Sequence, residues 1–169
     1  MISLRPAVQA DSAAIHDVLI QAFNGPDEAA LVDALRAAGD VLLELAAESG
    51  DRVIGHILYS PLPLVSPSRT VRAAALAPLA VHPNFQRRGA GGALIHMSLP
   101  MLAHSGVEAV VVLGEPAYYS RFGFSPEAAA HLRHPFPPGP HFMALELSPG
   151  CLDEFHGEVR YAAAFGLPA

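Results

Sequence analysis

The sequence predicts a layered α/β domain, and three observations support that prediction. Apolar residues recur with helical spacing in some segments and strand spacing in others, and the two kinds of segment alternate along the chain. Hydrophobic residues make up 51% of the 169 residues, which is enough for a packed core. A chain of this length buries about 70% of its unfolded surface as one domain. Because neither an internal repeat nor a shift in composition divides the chain, residues 1–169 are expected to form a single domain.

Apolar spacing and turn-forming residues divide the first half of the chain into elements. Asp11 is predicted to be the N-cap of the first helix, and Asn24-Gly25-Pro26 separates that helix from the second. In order, the predicted elements are a strand at 2–8, a helix after Asp11, a helix from Asp27 to Gly39, strands at 41–47 and 52–60, a loop at 61–68 and a strand at 71–81.

The second half continues the alternation of helix and strand. Residues 107–113 are apolar on both faces, which predicts a buried central strand. Pro116 suits the first position of a short helix, and Gly123 suits the left-handed residue that closes it. The predicted elements begin with a helix after a glycine-rich turn, followed by the strand at 107–113 and the short helix that starts at Pro116. A loop at 125–140 comes next, and closing strands at 142–147 and 158–165 flank a turn at Pro149-Gly150.

The glycine-rich turn lies between the strand that ends near Val81 and the following helix. Pro83 stops the strand because it has no N–H to donate to a neighbouring strand. The seven residues from Gln86 to Gly92 contain two arginines and three glycines. The first N–H groups of a helix have no intrahelical partner, and glycine lets a phosphate approach the backbone closely. The turn is therefore predicted to bind an anionic, phosphate-bearing ligand, although an ordinary strand-to-helix turn would also tolerate these glycines.

Two phosphate-binding motifs are excluded at this turn. The chain contains no lysine, which a P-loop requires, and Leu94 occupies the third glycine position of a dinucleotide-binding fingerprint. The pattern that does match is Q/R-x-x-G-x-G/A, at Gln86, Gly89 and Gly91. This pattern resembles the loop that binds the pyrophosphate of acetyl-coenzyme A in the GNAT superfamily of N-acetyltransferases.

A second motif agrees with the first in order and in position. Tyr119, Gly123 and Phe124 fill a Y-x-x-x-G-F pattern, which in the GNAT superfamily follows a strand and ends a short helix. The resemblance covers nearly the whole chain and is strongest to a bacterial branch of predicted acetyltransferases. It implies the GNAT fold, an α+β arrangement in which a single mixed, mostly antiparallel central sheet of about six or seven strands is flanked by about four helices.

The resemblance also implies a function and a set of site residues. The implied reaction moves an acetyl group from acetyl-CoA to an amine by direct attack on the thioester. The strand at Leu79, Ala80 and Val81 would hold the acetyl carbonyl and the pantetheine arm. Tyr119 would protonate the departing thiolate. The remaining implied coenzyme-binding residues are Gln86, Arg87, Arg88, Gly89, Ala90, Gly91 and Gly92.

Two assignments within this site stay open. Tyr118 and Tyr119 point about 100° apart on a helix, so one of them can be a packing residue, and the motif spacing selects Tyr119 as the acid. The general base must accept a proton from an amine whose ordinary pKa is about 10.4. Glu115 is the first candidate because it follows the buried strand, although its position also suits a helix-capping role. Other candidates are Glu44, Glu28 and His82.

Composition excludes several classes of partner. A net charge of −6 argues against general nucleic-acid binding, and the longest apolar runs are too short to span a membrane. Cys151, the single cysteine, suits a reducing cytoplasm and lies far along the chain from both motifs, so it is a poor nucleophile. His131, His134 and His141 lack a clean metal-ligand spacing, and no metal is expected.

The acceptor is not identified by the sequence. A small-molecule or peptide amine is expected, and the protein is expected to be a monomer or a homodimer. Two alternatives to acetyl transfer also stay open: transfer of a larger acyl group, and a non-catalytic acyl-CoA-binding module.

Overall fold

Ten strands and four helices form the part of the chain that the computed structural model describes, residues 1–168. The helices are α1 (Ser12–Phe23), α2 (Asp27–Ala38), α3 (Ala90–His104) and α4 (Pro116–Tyr119). The strands are β1 (Ile2–Pro6), β2 (Leu43–Ser49), β3 (Arg52–Pro61), β4 (Leu64–Val65), β5 (Thr70–Val71), β6 (Ala73–Val81), β7 (Ala109–Leu113), β8 (Leu132–Arg133), β9 (Phe142–Glu146) and β10 (Gly157–Val159).

The main sheet contains six strands in the order β1-β2-β3-β6-β7-β9. Only β6 and β7 run parallel, and every other neighbouring pair is antiparallel. Leu58 of β3 packs with α1 and α2, whereas its neighbour Ile57 packs with Leu94 and Ile95 of α3. Because successive side chains of a strand point to opposite faces, α1 and α2 cover one face of the sheet and α3 covers the other. The expected mixed, mostly antiparallel sheet with four helices is confirmed.

A second sheet, in the order β5-β4-β10-β8, departs from the prediction. The segment 158–165 was expected to be a closing strand, but β10 ends at Val159 and pairs with β4 and β8 rather than with β9. A single 3₁₀ turn follows at Ala163–Phe165. The two predicted loops also contain the two-residue strands β4 and β8. Strands this short contain too few residues to show an alternating pattern.

Asp11 does not cap α1 through its side chain, contrary to the sequence prediction. Its carboxylate accepts hydrogen bonds from Arg5, at 2.7 and 2.8 Å, and from the backbone N–H of Val8, at 2.8 Å. The Arg5 guanidinium is the main reason that the pKa of Asp11 falls to about 2, against the opposing effect of burial. Asp11 therefore joins β1 to the start of α1 by an ion pair.

The strands β6 and β7 separate after a short parallel pairing, and this separation positions the site. They pair only over Ala73–Ala75 and Ala109–Val111. Leu79 and Leu76 of β6 pair with Ile57 and Tyr59 of β3. Two residues of β6 but only one residue of β3 lie between these two pairs, so β6 has a bulge of one extra residue. Pro78 lies within this bulge and has no N–H to donate. A gap therefore opens between the C-terminal half of β6 and the end of β7.

Candidate active site

The peptide groups of Leu79 and Val81 face the gap between β6 and β7. The N–H of His82 donates to the carbonyl oxygen of Ile54 in β3 at 2.8 Å. Because alternate residues of an antiparallel strand direct their peptide groups to the same side, Ala80 also directs its peptide groups toward β3. Leu79 and Val81 alternate with these residues along β6 and direct their peptide groups the opposite way, into the gap. The carbonyl oxygen of Val81 accepts a hydrogen bond from the side-chain amide of Gln86 at 3.0 Å. The backbone of Leu79 is thus available to a ligand lying along the gap.

The turn from Gln86 to Gly92 leads directly into α3. Arg87 and Gly89 have φ values of 62° and 86°, in the left-handed region, and this region favours glycine at position 89. The helix begins at Ala90, so Gly91 and Gly92 lie in its first turn. The Gln86 side chain ties the turn to the end of β6 through Val81. The free N–H groups of the first turn therefore open beside the gap.

A cavity of about 590 Å³ joins the gap, the turn and the first turn of α3. Its walls come from the end of β6, the turn 85–92 and the helical segment around Tyr118. The residues that line it are Leu79, Val81, Phe85, Gln86, Arg87, Gly89, Ala90, Gly91, Gly92, Tyr118 and Arg121. Of the predicted coenzyme-binding residues, Ala80 and Arg88 lie outside this set.

Positive charge surrounds the cavity. Arg87 and Arg121 line it, and the guanidinium carbons of Arg52 and Arg88 lie 5.5 and 5.3 Å from the centre of the Phe85 ring. The N-terminus of α3 adds the partial positive charge of its helix dipole. Arg52 and Phe85 were not assigned to the site from the sequence because they lie outside the two motifs, and Arg121 was not assigned because it occupies a variable position of the second motif. The cavity is suited to an extended ligand with phosphate groups at the α3 end.

The two neighbouring tyrosines of α4 occupy different surroundings. Tyr118 lines the cavity, and a Cβ atom built on Gly91 would lie 2.6 Å from its hydroxyl oxygen. Tyr119 packs against Gly114 instead, and a Cβ atom built on Gly114 would lie 2.5 Å from Cε2 of the Tyr119 ring. The two rings meet edge to face, with their centres 5.0 Å apart. The interplanar angle of 82° agrees with the expectation that they point in different directions.

Tyr119 lies beside the end of β7, because its ring packs on Gly114, the residue that follows this strand. It is half-buried, and its ring meets that of Phe124 edge to face. Burial, with a smaller contribution from Tyr118, raises the pKa of Tyr119 to about 12. Its hydroxyl makes no hydrogen bond to any other residue in 1–168. A neutral phenol at this position can donate a proton to an atom in the gap.

Glu115 immediately precedes α4 and is exposed. Its side chain makes no capping hydrogen bond, so the helix-capping role considered from the sequence is wrong. Its backbone carbonyl accepts the N–H groups of Tyr118 and Tyr119, both at 3.1 Å. Glu115 is therefore one residue from Gly114, the glycine on which the Tyr119 ring packs, but it does not line the coenzyme cavity.

The other three candidate bases lie elsewhere. Both ring nitrogens of His82 face N–H donors: Nδ1 accepts from Asn84 at 3.2 Å, and Nε2 lies 3.0 Å from an Arg52 nitrogen. This leaves no free lone pair for an amine. Glu28 lines a separate cavity of about 450 Å³ between α2 and the turn at Ala163–Phe165. Glu44 forms an ion pair with Arg36 and lies 2.7 Å from Nε2 of His56.

Sequence reasoning missed the buried network around Glu44. Burial opposes ionisation of Glu44, but hydrogen bonds from His56 and Arg36 outweigh it and hold its pKa below the ordinary value. His56 is fully buried on β3, and its Nδ1 atom has no partner within residues 1–168. The only available signal was a histidine within an otherwise apolar strand. Because Glu44 is held in its ionised form by two partners, it is a weak candidate for the base.

The loop histidines and the cysteine have packing roles. His134 stacks on Phe142 with ring centres 3.9 Å apart, His131 packs on His156, and His141 lies 3.0 Å from the carbonyl oxygen of Gly114. Within residues 1–168, no three His, Cys, Asp or Glu side chains cluster as metal ligands would. Cys151 donates to the carbonyl of Glu108, and burial raises the pKa of its thiol to about 11. No helix in the described part of the chain combines the length and apolarity that crossing a bilayer requires.

Comparisons with known proteins agree with this arrangement. The uncharacterized N-acetyltransferase YhbS of Escherichia coli strain K12 is 34% identical over 166 residues, which cover 96% of this chain and 97% of YhbS. A crystal structure of E. coli YhbS in complex with CoA superimposes with a TM-score of 0.90 at 32% identity, covering 99% of this chain and 93% of that one. A GNAT family acetyltransferase from Brucella melitensis, in complex with acetyl-CoA, gives a TM-score of 0.80 at 34% identity and 98% coverage of both chains.

The family match is direct. Residues 3–126 match the family model described as "Acetyltransferase (GNAT) domain", and this range includes both sequence motifs, the gap and the cavity. The chain therefore belongs to the GNAT family, and it is an acetyl-CoA-dependent acetyltransferase.

Proposed function

We propose that the protein acetylates a primary amine, carried by a small molecule or a peptide, through direct attack of the amine on the thioester of acetyl-CoA. The observation that carries this proposal is the proximity of three features: the cavity at the start of α3, the backbone of Leu79 in the gap, and Tyr119 beside the end of β7. We further propose that the chain works as a single domain in a bacterial cytoplasm, as a monomer or a homodimer.

The coenzyme would extend from the α3 end of the cavity into the gap. The free N–H groups of the first turn of α3, together with Arg87, would bind the diphosphate. The pantetheine arm would then extend β6, because the peptide groups of Leu79 face the gap and β7 has moved away. This placement brings the thioester toward the closed end of the gap. The YhbS and Brucella complexes with CoA and acetyl-CoA support a coenzyme in a fold of this kind.

Acetyl transfer then needs three events at the thioester. The neutral amine forms a bond to the carbonyl carbon, and the carbonyl oxygen gains negative charge, which a backbone N–H such as that of Leu79 would stabilise. The C–S bond breaks as the carbonyl re-forms. The thiolate, whose ordinary pKa is about 8.5, takes the phenolic proton of Tyr119. The amine proton leaves to a base, for which Glu115 is our candidate, directly or through water.

The amine enters from the face of the sheet that α1 and α2 cover. The coenzyme cavity occupies the side of the gap formed by α3 and α4. On the opposite face, α1 crosses β3 and β6 and packs on Ala80, the neighbour of Leu79. The turn at Ala163–Phe165 also packs against this cluster. The end of α1, the start of α2 and this turn would therefore form the wall that selects the acceptor.

An assay of thiol release with a panel of primary amines tests the proposed function. Purified protein is mixed with acetyl-CoA and each amine, free CoA thiol is followed with a thiol reagent, and the acetylated product is identified by mass spectrometry. At least one amine is expected to release thiol and gain an acetyl group. Binding of acetyl-CoA without release for any amine, peptide N-termini included, would favour the acyl-CoA-binding module, and faster turnover of longer acyl-CoAs would favour a larger acyl group.

A further inference from the structure

Tyr118 lines the coenzyme cavity, but neither motif explains its role. In the Y-x-x-x-G-F pattern it occupies the position before the tyrosine that the motif selects. Its ring nevertheless lines the cavity, and its hydroxyl oxygen lies at the first turn of α3, against Gly91. Within residues 1–168, this hydroxyl makes no hydrogen bond. An O–H group at the start of a helix, beside the free N–H groups, is a further donor for an anion bound there.

Three neighbours fix the orientation of the Tyr118 ring. The guanidinium carbon of Arg121 lies 4.7 Å from the ring centre, and Nε of Arg121 donates to the Tyr118 carbonyl oxygen at 3.3 Å. The ring centres of Phe122 and Tyr119 lie 5.4 and 5.0 Å away. A side chain held in place before the ligand arrives loses little freedom when it binds. Arg121 also brings positive charge to the same wall of the cavity.

The glycines of the first turn make room for this arrangement. A Cβ atom on Gly91 would lie 2.6 Å from the Tyr118 hydroxyl oxygen, which is too close for both to stay in place. A Cβ atom on Gly92 would lie 3.5 Å from Phe122, an ordinary van der Waals contact. The absence of a side chain at position 91 is therefore what allows the hydroxyl to reach the start of α3.

We propose that Tyr118 is a positioning residue for the coenzyme, whose hydroxyl donates a hydrogen bond to the diphosphate at the N-terminus of α3. This proposal rests on the proposed function and adds to it a division of work between neighbouring tyrosines. Tyr118 donates to the diphosphate at the start of the pantetheine arm, and Tyr119 protonates the sulfur at the far end of that arm. Burial raises the pKa of Tyr118, so the phenol stays protonated and keeps its donor at neutral pH.

The test compares Tyr118→Phe with the parent protein by calorimetry with CoA. The variant keeps the ring and its contacts and removes only the hydroxyl. A hydrogen bond to a charged group contributes enough for its loss to weaken CoA binding about tenfold or more. If the parent protein itself fails to bind CoA, the proposed function is wrong. If the parent binds CoA and the variant binds it equally well, only the role of Tyr118 is wrong.

A second donor distinguishes a diphosphate contact from a general defect. S-acetyl-pantetheine carries the thioester and the pantetheine arm but lacks the diphosphate. With acetyl-CoA, Tyr118→Phe is expected to lower kcat/KM about tenfold while kcat at saturation stays unchanged. With S-acetyl-pantetheine, kcat/KM is expected to equal that of the parent. An equal loss with both donors would overturn the diphosphate assignment, because the hydroxyl would then act elsewhere on the bound donor.

Discussion

Gly91 and Tyr118 lie so close together that a methyl group on Gly91 would come within 2.6 Å of the Tyr118 hydroxyl oxygen. Gly91 belongs to the Q/R-x-x-G-x-G/A motif, and its usual explanation is close approach of a phosphate to the backbone. In this chain the glycine also leaves space for a side chain from another helix. The motif on α3 and the tyrosine on α4 are therefore one structural unit, although they are far apart in sequence.

Substitution of the two adjacent glycines should separate these effects. Gly91→Ala is expected to weaken CoA binding about five- to tenfold, because the new methyl group displaces the Tyr118 hydroxyl. Gly92→Ala is the matched control, since its methyl group meets Phe122 at an ordinary contact distance in the same helical turn. Calorimetry with CoA on both variants measures the difference. Equal affinities would show that the first turn tolerates any small residue.

Removal of the Tyr119 hydroxyl should affect chemistry and leave binding unchanged. Tyr119→Phe is expected to lower kcat about 10²- to 10⁴-fold, the usual contribution of a positioned proton donor. CoA affinity should stay within about twofold of the parent, because Tyr119 does not line the cavity that holds the coenzyme. Stopped-flow thiol release and calorimetry give the two numbers. Unchanged kcat would assign Tyr119 to packing against Gly114 and Phe124.

The alkaline side of the pH profile should extend further than an ordinary tyrosine allows. A general acid must be protonated to work, and burial raises the pKa of Tyr119 from 10.0 to about 12. The rate is therefore expected to hold up to about pH 10.5, where a tyrosine of ordinary pKa would already have lost most of its protons. Initial rates of thiol release between neutral pH and pH 10.5 measure this. A decline centred near pH 10 would contradict the raised pKa.

The main sheet was predictable from sequence, whereas the second sheet was not. Continuous apolar runs such as residues 107–113 and the turn residue Gly39 mark long elements, and these elements were placed within a few residues of where they lie. Leu64–Val65 is a strand because it pairs with β5 on one side and β10 on the other, and Leu132–Arg133 is a strand because it pairs with β10. Such strands depend on tertiary contacts, for which two residues give no periodic pattern.

The candidate site was predictable to the extent that it follows the backbone. Gly89 takes a left-handed φ in the turn that the glycine-rich pattern predicts, whereas Leu79 was assigned through the resemblance to the GNAT superfamily. Side chains that reach the cavity from other elements, such as Tyr118 and Arg121 from the segment around α4, depend on how the helices pack. A single sequence contains no direct record of that packing.

Loss of the Asp11 charge should destabilise the protein at neutral pH and much less in acid. Asp11 is 8% exposed, and its pairing with Arg5 lowers its pKa from 3.8 to about 2. A carboxyl group with a lowered pKa stabilises the fold above its unfolded pKa, and this stabilisation is lost as the pH falls toward 2. Asp11→Asn is therefore expected to lower the unfolding free energy at pH 7 by about 2 kcal/mol.

The measurement for Asp11 is urea unfolding at several pH values. The difference between parent and variant should shrink between pH 4 and about pH 2, because the parent then loses its charge as well. Asp17→Asn serves as the control, since Asp17 is an exposed residue of α1, the helix that directly follows Asp11. A difference that stays constant through this range would show that the side chain acts through its shape and its bond to Val8, without a contribution from charge.

The general base can be tested because its two carboxylate candidates differ in structure. Glu115 is exposed and caps nothing, so Glu115→Gln should leave the melting temperature unchanged. Glu44 holds Arg36 and the fully buried His56, so Glu44→Gln should lower the melting temperature by several degrees, since it leaves two polar groups without their partner. Thermal unfolding therefore separates a structural carboxylate from one that is free to act on a substrate.

Kinetics then decide whether Glu115 accepts the proton of the amine. If it does, Glu115→Gln should lower kcat/KM about 10²-fold at neutral pH and flatten the acidic limb of the profile, because no titrating carboxylate is left to set it. Near pH 10.5, where about half of an amine of ordinary pKa is neutral without help, the variant should recover much of the parent rate. A uniform loss at every pH would mean that the carboxylate orients the acceptor instead. An unaltered acidic limb would leave water, or a group of the acceptor itself, as the base.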